Sequence, residues 1–297
     1  MTVPRLIVPG RTYLVTRRCT QRSFLLRPDP RTTAIFLYCF AEAAQRCGIR
    51  TLGWTAMSNH YHAVVEDPEG RLPAFLEQFH KMCARALNAH RSRRENLWST
   101  EPTCAVYLVN PEDVLEKVVY MLANPVADHL VERVLDWPGA SSFAWLDGRD
   151  KTLRRPATFF RGDGQMPESV GLRAVAPTGT AAGEWARRVR EAVAEREAAA
   201  REERRRKGTR VRGRKAVLRF SPFDRPVSSE PRRTLRPTIA CRDWRRRVQE
   251  MSALKRFRQH YARARGRLLA GERGVVFPMG TYRWRLLGIA CVPPPLV

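Results

Sequence analysis

The feature that most constrains the fold is the order in which two hydrophobic periods alternate along the first 125 residues. Four segments are rich in β-branched and aromatic residues, as strands are: 12–19, 50–57, 60–66 and 104–109. Three others keep apolar residues at three- and four-residue spacing, which predicts helices: 30–47, 72–91 and 111–124. This strand–helix–strand–strand–helix–strand–helix order predicts an α+β domain built on an antiparallel sheet.

The second half of the chain is much more basic than the first. Residues 1–149 hold 18 Lys+Arg against 15 Asp+Glu, whereas residues 150–297 hold 36 against 14. The second half therefore carries +22 of the formal net charge of +25. A charge this uneven indicates a polyanionic partner, for which a nucleic acid is the leading reading and an acidic membrane surface is the rival.

The periodic pattern of apolar residues is weaker after the first domain. Residues 184–207 predict a charged helix that is exposed or serves as a tether, and residues 241–270 predict a second basic helix. The Pro-rich segment 220–238 reads as a linker, and a final hairpin is expected at 274–287. We therefore expect a core that closes near Gly148 and three parts: the α+β domain at 1–148, a charged and Pro-rich linker region at 149–240, and a basic, mainly helical extension at 241–297.

Several classes of protein are disfavoured. The N-terminus has no long apolar region of the kind found in secretory leaders, and no apolar stretch approaches the ~18 residues that a membrane span needs. The seven cysteines form no CxxC pair, so a zinc knuckle is not expected. Their scattered positions predict a protein with reduced cysteines, located in the cytoplasm.

The sharpest local motif is Asn59-His60-Tyr61-His62. On a strand His60 and His62 point to the same face, because side chains alternate with period two, and together they can bind one divalent ion. The competing interpretation is a pair of half-exposed strand histidines. A histidine-triad nucleotide hydrolase would need a third histidine at position 64, where this chain has Val64.

The second motif lies on the helix predicted at 111–124. Asn110 and Pro111 favour its start, and Pro125 is expected to stop it. Glu116, Tyr120 and Asn124 are four residues apart and share a face that differs from the apolar stripe. Tyr120 is therefore either a functional group aligned with the Asn124 amide or an amphipathic tyrosine at a packing edge.

Together these motifs resemble those of the HUH single-tyrosine transposases, and most closely the REP-associated tyrosine transposases. The matching stretches are Met57-Ser-Asn-His60-Tyr-His62, Tyr120-Met-Leu-Ala-Asn124-Pro-Val126 and Asp136-Trp137-Pro-Gly-Ala-Ser141-Ser142. The resemblance covers residues 10–146, about half of the chain.

The resemblance implies a ferredoxin-like antiparallel sheet with helices on its faces, as in HUH nucleases. It also implies that His60, His62 and Asn124 bind Mg²⁺ or Mn²⁺ and that Tyr120 is the nucleophile. The expected enzyme nicks and rejoins hairpin-flanked single-stranded DNA through a 5′-phosphotyrosine. It would act in the cytoplasm, near the nucleoid, as a monomer or a homodimer. Tyr61, where the motif often has an aliphatic residue, should face the opposite, packed side of the strand.

The basic extension has no counterpart in that family pattern, so its role is predicted from its charge alone. We expect it to contact DNA phosphates through Arg245, Arg246, Arg247, Lys255, Arg256 and Arg258. The competing interpretation is a solvated charged helix. For the whole protein, a catalytically silent, domesticated protein that binds DNA hairpins is the main alternative, and a replication or conjugation initiator with the same chemistry is a third.

Overall fold

A computed structural model describes residues 4–227 and 237–293. Its strands are β1 Arg11–Arg18, β2 Arg50–Ala56, β3 His60–Asp67, β4 Cys104–Leu108, β5 Lys151–Arg154, β6 Ser169–Leu172 and β7 Ile239–Ala240. Its helices are α1 Pro30–Arg46, α2 Leu72–His90, α3 Pro111–Ala127, α4 Ala182–Lys207, α5 Arg214–Arg219, α6 Trp244–Leu269 and α7 Arg283–Leu286. The chain is thus an α+β protein, as the alternation of periods predicts.

The main sheet has five strands in the order β2-β3-β1-β4-β7. The first four are antiparallel and joined as β1-α1-β2-β3-α2-β4, which is the ferredoxin-like arrangement expected above. The sheet as a whole is mixed, however, because β7 pairs parallel to β4. The amide of Tyr107 donates to the carbonyl of Thr238 at 2.9 Å, so the extension covers an edge strand that would otherwise be open.

Helices α1 and α2 cover one face of the sheet. Asp29 begins α1 by accepting a hydrogen bond from the backbone amide of Thr32 at 2.9 Å. Edge-to-face ring contacts fill the space between these helices and the sheet, and they join Phe36, Phe40, Tyr61, Phe75 and Phe79. This face is therefore a closed aromatic core, in which Tyr61 is buried as expected.

Helix α3 covers the other face. Its N-terminus is closed by Asp113, whose carboxylate accepts from the backbone amide of Asn110 at 3.0 Å. The expectation that Pro125 ends the helix is wrong, since α3 continues to Ala127. A proline removes one donor but still fits helical φ, and the amide of Asp128 continues the last turn by bonding to the carbonyl of Asn124 at 2.9 Å.

Much of the segment expected to be a linker region is packed. Trp185, Val189 and Val193 of α4 are buried in the same apolar cluster as α3, so this helix is part of the fold and not a tether. The β5–β6 hairpin contributes Val170 and Leu172 to the cluster around α1. The core is consequently incomplete at Gly148. Part of the predicted linker at 220–238, residues 228–236, lies outside the described residues.

The end of the chain forms a small cluster of its own. The hairpin expected at 274–287 is wrong: helix α7 occupies residues 283–286, and Phe277 instead forms a parallel bridge with Cys291. The apolar–basic alternation there is also compatible with one helical turn, in which the Trp284 indole donates to the Tyr261 hydroxyl at 2.9 Å. Within the described residues, no helix is both long and apolar enough to cross a membrane.

Candidate functional site

The first part of the site is the start of β3. His60 and His62 lie on the α3 face of the sheet, and their ring centroids are 4.8 Å apart in an edge-to-face arrangement. Tyr61 between them is fully buried on the opposite face. The period-two prediction for this motif therefore describes the strand correctly, and both imidazoles lie beneath α3.

Helix α3 supplies the other two predicted side chains. The amide nitrogen of Asn124 lies 3.5 Å from Nε2 of His60, and the ring of Tyr120 is 5.6 Å from that of His62, centroid to centroid. Asn124 is only 8% exposed, whereas Tyr120 is 47% exposed. Four residues from two elements thus meet in one place, with the tyrosine on its solvent side.

Close packing of α3 on the sheet depends on a glycine. Gly53 lies at a bulge in β2, and a Cβ there would come within 2.8 Å of the terminal methyl of Met121. Met121 is adjacent to Tyr120 in the sequence and points inward, where it is fully buried. Gly53 therefore allows α3 to pack closely against the sheet that carries the histidines.

Two side chains that the sequence analysis did not identify hold the imidazoles in place. The hydroxyl of Thr16 is 2.7 Å from Nδ1 of His62, and Oδ1 of Asn59 is 2.7 Å from Nδ1 of His60. With each Nδ1 engaged, Nε2 is the candidate ligand atom of each ring. Asn59 stands beside His60 in the motif, but Thr16 becomes visible only in the register that pairs it with His62 across β1 and β3.

The donor set fits a divalent cation. Two imidazole nitrogens and the Asn124 amide converge on one side of the sheet, although the amide nitrogen rather than the oxygen faces His60. Exchanging the two amide atoms by a half-turn would present Oδ1 as a ligand. The described residues contain no group of three or more His, Cys, Asp or Glu side chains that could hold a metal, so a metal ion at this place would need a donor of another type, such as the Asn124 amide.

The other tyrosines near the sheet are in different surroundings. The hydroxyl of Tyr61 is 2.6 Å from Nε2 of His80, and burial raises the pKa of Tyr61 well above its usual value. Burial also raises the pKa values of Tyr13 and Tyr107, which lie side by side on β1 and β4. A deprotonated phenol is therefore disfavoured at all three positions.

The Trp-Pro-x-x-Ser stretch has a structural part in the site. It runs along the outer edge of β2, where the amide of Ala56 donates to the carbonyl of Ala140 at 2.8 Å. The indole of Trp137 donates to the carbonyl of Ala56 at 3.0 Å. The stretch therefore braces the strand that leads into the histidine motif.

The basic residues predicted to contact DNA lie on α6 and do not all lie close together. Arg245, Arg246 and Arg247 are in its first turn, whereas Lys255, Arg256 and Arg258 follow about 15 Å further along the helix axis. The first turn lies next to α3, because the backbone amide of Arg242 donates to Asp113 at 2.8 Å and its side chain donates to Glu116 at 2.7 Å. Glu116 is one helical turn before Tyr120.

Two solved structures are similar to this chain. The structure of a REP-associated tyrosine transposase bound to a REP hairpin is 21% identical over 48% of this chain and 83% of its own, with a TM-score of 0.38. That of a candidate transposase from Deinococcus radiodurans is 17% identical over 36% of this chain and 85% of its own, with a TM-score of 0.29. No protein-family model and no curated protein matches the chain. The proposed chemistry therefore rests on the geometry of the site itself.

Proposed function

We propose that this protein is a metal-dependent single-stranded DNA endonuclease and strand transferase of the transposase type, with Tyr120 as its nucleophile. The observation that carries the proposal is a half-exposed tyrosine whose ring is 5.6 Å from that of His62, on a helix whose next turn brings Asn124 to His60. The predicted nucleophile and the three predicted metal ligands thus come from two elements that pack against each other.

The reaction is a transesterification. The phenolic oxygen of Tyr120 forms a bond to the scissile phosphorus as the bond to the 3′ oxygen breaks. The phenolic proton passes to solvent, which reaches the half-exposed side chain, and the departing oxygen takes up a proton to become a 3′-OH. The resulting 5′-phosphotyrosine keeps the energy of the broken bond, so the 3′-OH of a DNA strand can displace the tyrosine and rejoin the strand.

His60, His62 and Asn124 would hold Mg²⁺ or Mn²⁺. A bound divalent cation supplies charge neutralisation at the phosphate oxygens and polarisation of phosphorus. None of the three side chains is anionic, so they leave the positive charge of the ion intact. Thr16 and Asn59 hold the imidazole rings by their Nδ1 atoms, which orients Nε2 toward the α3 side before the substrate arrives.

The proposed substrate is DNA that is single-stranded at the scissile phosphate and forms a hairpin beside it. Two properties support a polyanionic substrate: the net charge of +25 and the concentration of +22 of it in the second half of the chain. Arg242, two residues before α6, bonds to Glu116, which lies one turn before Tyr120 on α3. We propose that the basic side chains at the start of α6 bind the phosphates flanking the cleavage position.

Trapping a covalent protein–DNA adduct tests the proposal. The full chain is incubated with a labelled library of single-stranded hairpins in Mn²⁺, in Mg²⁺ or in EDTA, and adducts that survive denaturing electrophoresis are mapped by peptide mass spectrometry. We expect an adduct that needs the divalent ion and carries DNA on the peptide containing Tyr120. The absence of an adduct on every hairpin, or DNA attached to another tyrosine, would contradict the proposal.

A further inference from the structure

The apolar residues of α6 lie on two opposite faces of the helix. Phe257, Tyr261, Ala264 and Leu268 follow a four–three–four spacing and form the face that packs on the rest of the chain. Trp244, Val248 and Met251 follow the same spacing, but they precede the first set by thirteen residues, about three and a half turns. The helix therefore carries a second apolar stripe on its outer side.

This outer stripe is left open to solvent. Trp244 is 66% exposed, Val248 51% and Met251 55%. A contiguous patch of exposed apolar side chains is a candidate interaction surface, whereas singly scattered ones are ordinary. The fold uses the inner stripe for its own packing, so the outer stripe is available to a partner.

Positive charge surrounds the stripe. The guanidinium of Arg245 is 5.7 Å from the centroid of the Trp244 ring, and Arg247 lies at the edge of the stripe between Trp244 and Met251. In the described part of the chain, neither arginine forms an ion pair with a carboxylate. An exposed indole beside unpaired guanidinium groups is the combination that binds a base and its phosphates together.

The start of the stripe is connected to α3 through Arg242. The stripe begins two residues after Arg242, which bonds to Asp113 and Glu116 on the Tyr120 side of α3. Glu116 precedes Tyr120 by one turn, about 6 Å along the helix axis. The contacts of Arg242 therefore connect the start of α6 to the helix that carries Tyr120.

We infer that the outer stripe of α6, beginning at Trp244, binds the unpaired bases of one strand flanking the cleavage position. The inference rests on the proposed function, which supplies a single-stranded substrate, and adds the subsite that holds its flank. Trp244 stacks on a base while Arg245 and Arg247 contact the adjacent phosphates. Because stacking needs an unpaired base, this subsite distinguishes single-stranded from duplex DNA.

A second copy of the chain is a poor occupant of the same surface. The stripe lies in a strongly basic helix of a protein with a net charge of +25, so two such faces brought together would repel one another. DNA brings the complementary charge and also offers apolar base faces. The observed combination of indole, aliphatic side chains and guanidinium groups therefore favours DNA.

Two probes with the same phosphates test the inference. The binding of the full chain to fluorescein-labelled oligothymidylate and to an abasic strand of equal length is measured by anisotropy, without divalent ions so that nothing is cleaved. We expect Trp244→Ala to weaken oligothymidylate binding about tenfold, from the loss of one stacked base, and to leave abasic-strand binding unchanged. Trp244→Phe should retain most of the affinity.

Leu269→Ala is the matched control, since Leu269 is an equally exposed apolar residue at the far end of the same helix, and it should change neither affinity. Equal loss on both probes, or no loss on oligothymidylate, would overturn the inference. So would a change from dimer to monomer in light scattering with DNA affinity unaltered. The two proposals can fail separately. If the chain forms no Tyr120 adduct, Trp244→Ala can still weaken binding to oligothymidylate alone. If the chain forms the adduct but Trp244→Ala binds oligothymidylate normally, only the proposed base-binding role of the outer stripe is refuted.

Discussion

The two faces of the sheet at the start of β3 carry similar residues with opposite consequences. On the inner face, Tyr61 of β3 bonds to His80 of α2, and His80 bonds to Arg17 of β1 at 2.8 Å. On the outer face, Tyr120 lies against His62 under α3 and remains half exposed. A tyrosine–histidine contact is thus not itself a sign of catalysis.

Burial and polar partners separate the two clusters. Burial lowers the pKa of His80 and raises that of Tyr61, so both inner groups are held neutral and hydrogen-bonded to each other. On the outer face the oxygens of Thr16 and Asn59 hold the histidines, and the tyrosine has access to solvent. We expect the inner cluster to serve stability and the outer one chemistry.

The largest effect should come from exchanging the two tyrosines for phenylalanine. Tyr120→Phe removes one exposed oxygen, so we expect it to abolish the covalent adduct while the unfolding midpoint and hairpin binding stay unchanged. Tyr61→Phe should keep the adduct and lower the free energy of unfolding by about 1–3 kcal/mol, because it leaves Nε2 of the buried His80 without a hydrogen-bond partner. Adduct yield and urea denaturation of both variants measure the two effects, and an adduct in Tyr120→Phe would refute the assignment.

A second contrast uses the histidines. His60→Ala and His62→Ala should each lower the divalent-ion-dependent nicking rate at least about a hundredfold, since each removes a proposed ligand, with little change in stability. His80→Ala should do the reverse, because it leaves the hydroxyl of the buried Tyr61 without its partner and removes one acceptor of Arg17. Nicking rates over a Mn²⁺ titration and thermal unfolding of all three variants test this. Undiminished nicking in His60→Ala or His62→Ala would remove that residue from the site.

The features that could be predicted from the sequence are those that depend on the periodicity of a single strand or helix. The parity of His60 and His62 on a strand and the four-residue step from Tyr120 to Asn124 follow from backbone geometry alone. Thr16 could not be predicted in the same way, since its part in the site depends on the cross-strand register with His62, 46 residues away. The functional assignments themselves stay predictions that the variants above examine.

Weak or interrupted hydrophobic periodicities account for the remaining differences between the predicted and the observed elements. The buried residues of α4, led by Trp185 and Val189, are outnumbered by charged neighbours, so the sequence indicated a tether where the structure has a packed helix. The two-residue strand β7 is too short to show any period. In α6 the apolar residues read as one stripe, whereas the six-residue step from Met251 to Phe257 divides them between two faces.

An intermediate effect should come from the residue that holds His62. Thr16→Val keeps the shape of the side chain and removes the hydroxyl, so the imidazole loses its fixed orientation. We expect the Mn²⁺ concentration for half-maximal nicking to rise about 10- to 100-fold, as for other residues that orient metal ligands. Thr16→Ser should restore it, and Thr12→Val, on the same strand and face but away from His62, should leave it unchanged. An unaltered Mn²⁺ requirement in Thr16→Val would leave Thr16 without a positioning role.

The smallest effect is expected for arginines. Here the comparison is between an exposed arginine that is paired with a carboxylate and two that are not. Arg187 on α4 is exposed but paired with Glu191 at 2.9 Å, whereas Arg245 and Arg247 on α6 form no ion pair among the described residues. An arginine that neutralises a DNA phosphate releases a condensed counterion, and a single strand gives a slope of about −0.7 in log affinity against log salt for each contact. Arg245→Ala and Arg247→Ala should therefore each make the slope for oligothymidylate shallower by about 0.7.

Arg187→Ala is the control for that measurement, because its charge is already compensated by a carboxylate and its removal should leave the slope unaltered. Anisotropy titrations at four or five salt concentrations give the slopes without any cleavage. The double variant of Arg245 and Arg247 should show the sum of the two changes, since each arginine would contact its own phosphate. If Arg187→Ala changed the slope as much as the α6 variants did, the DNA would be held by overall charge, and the start of α6 would have no special part in binding it.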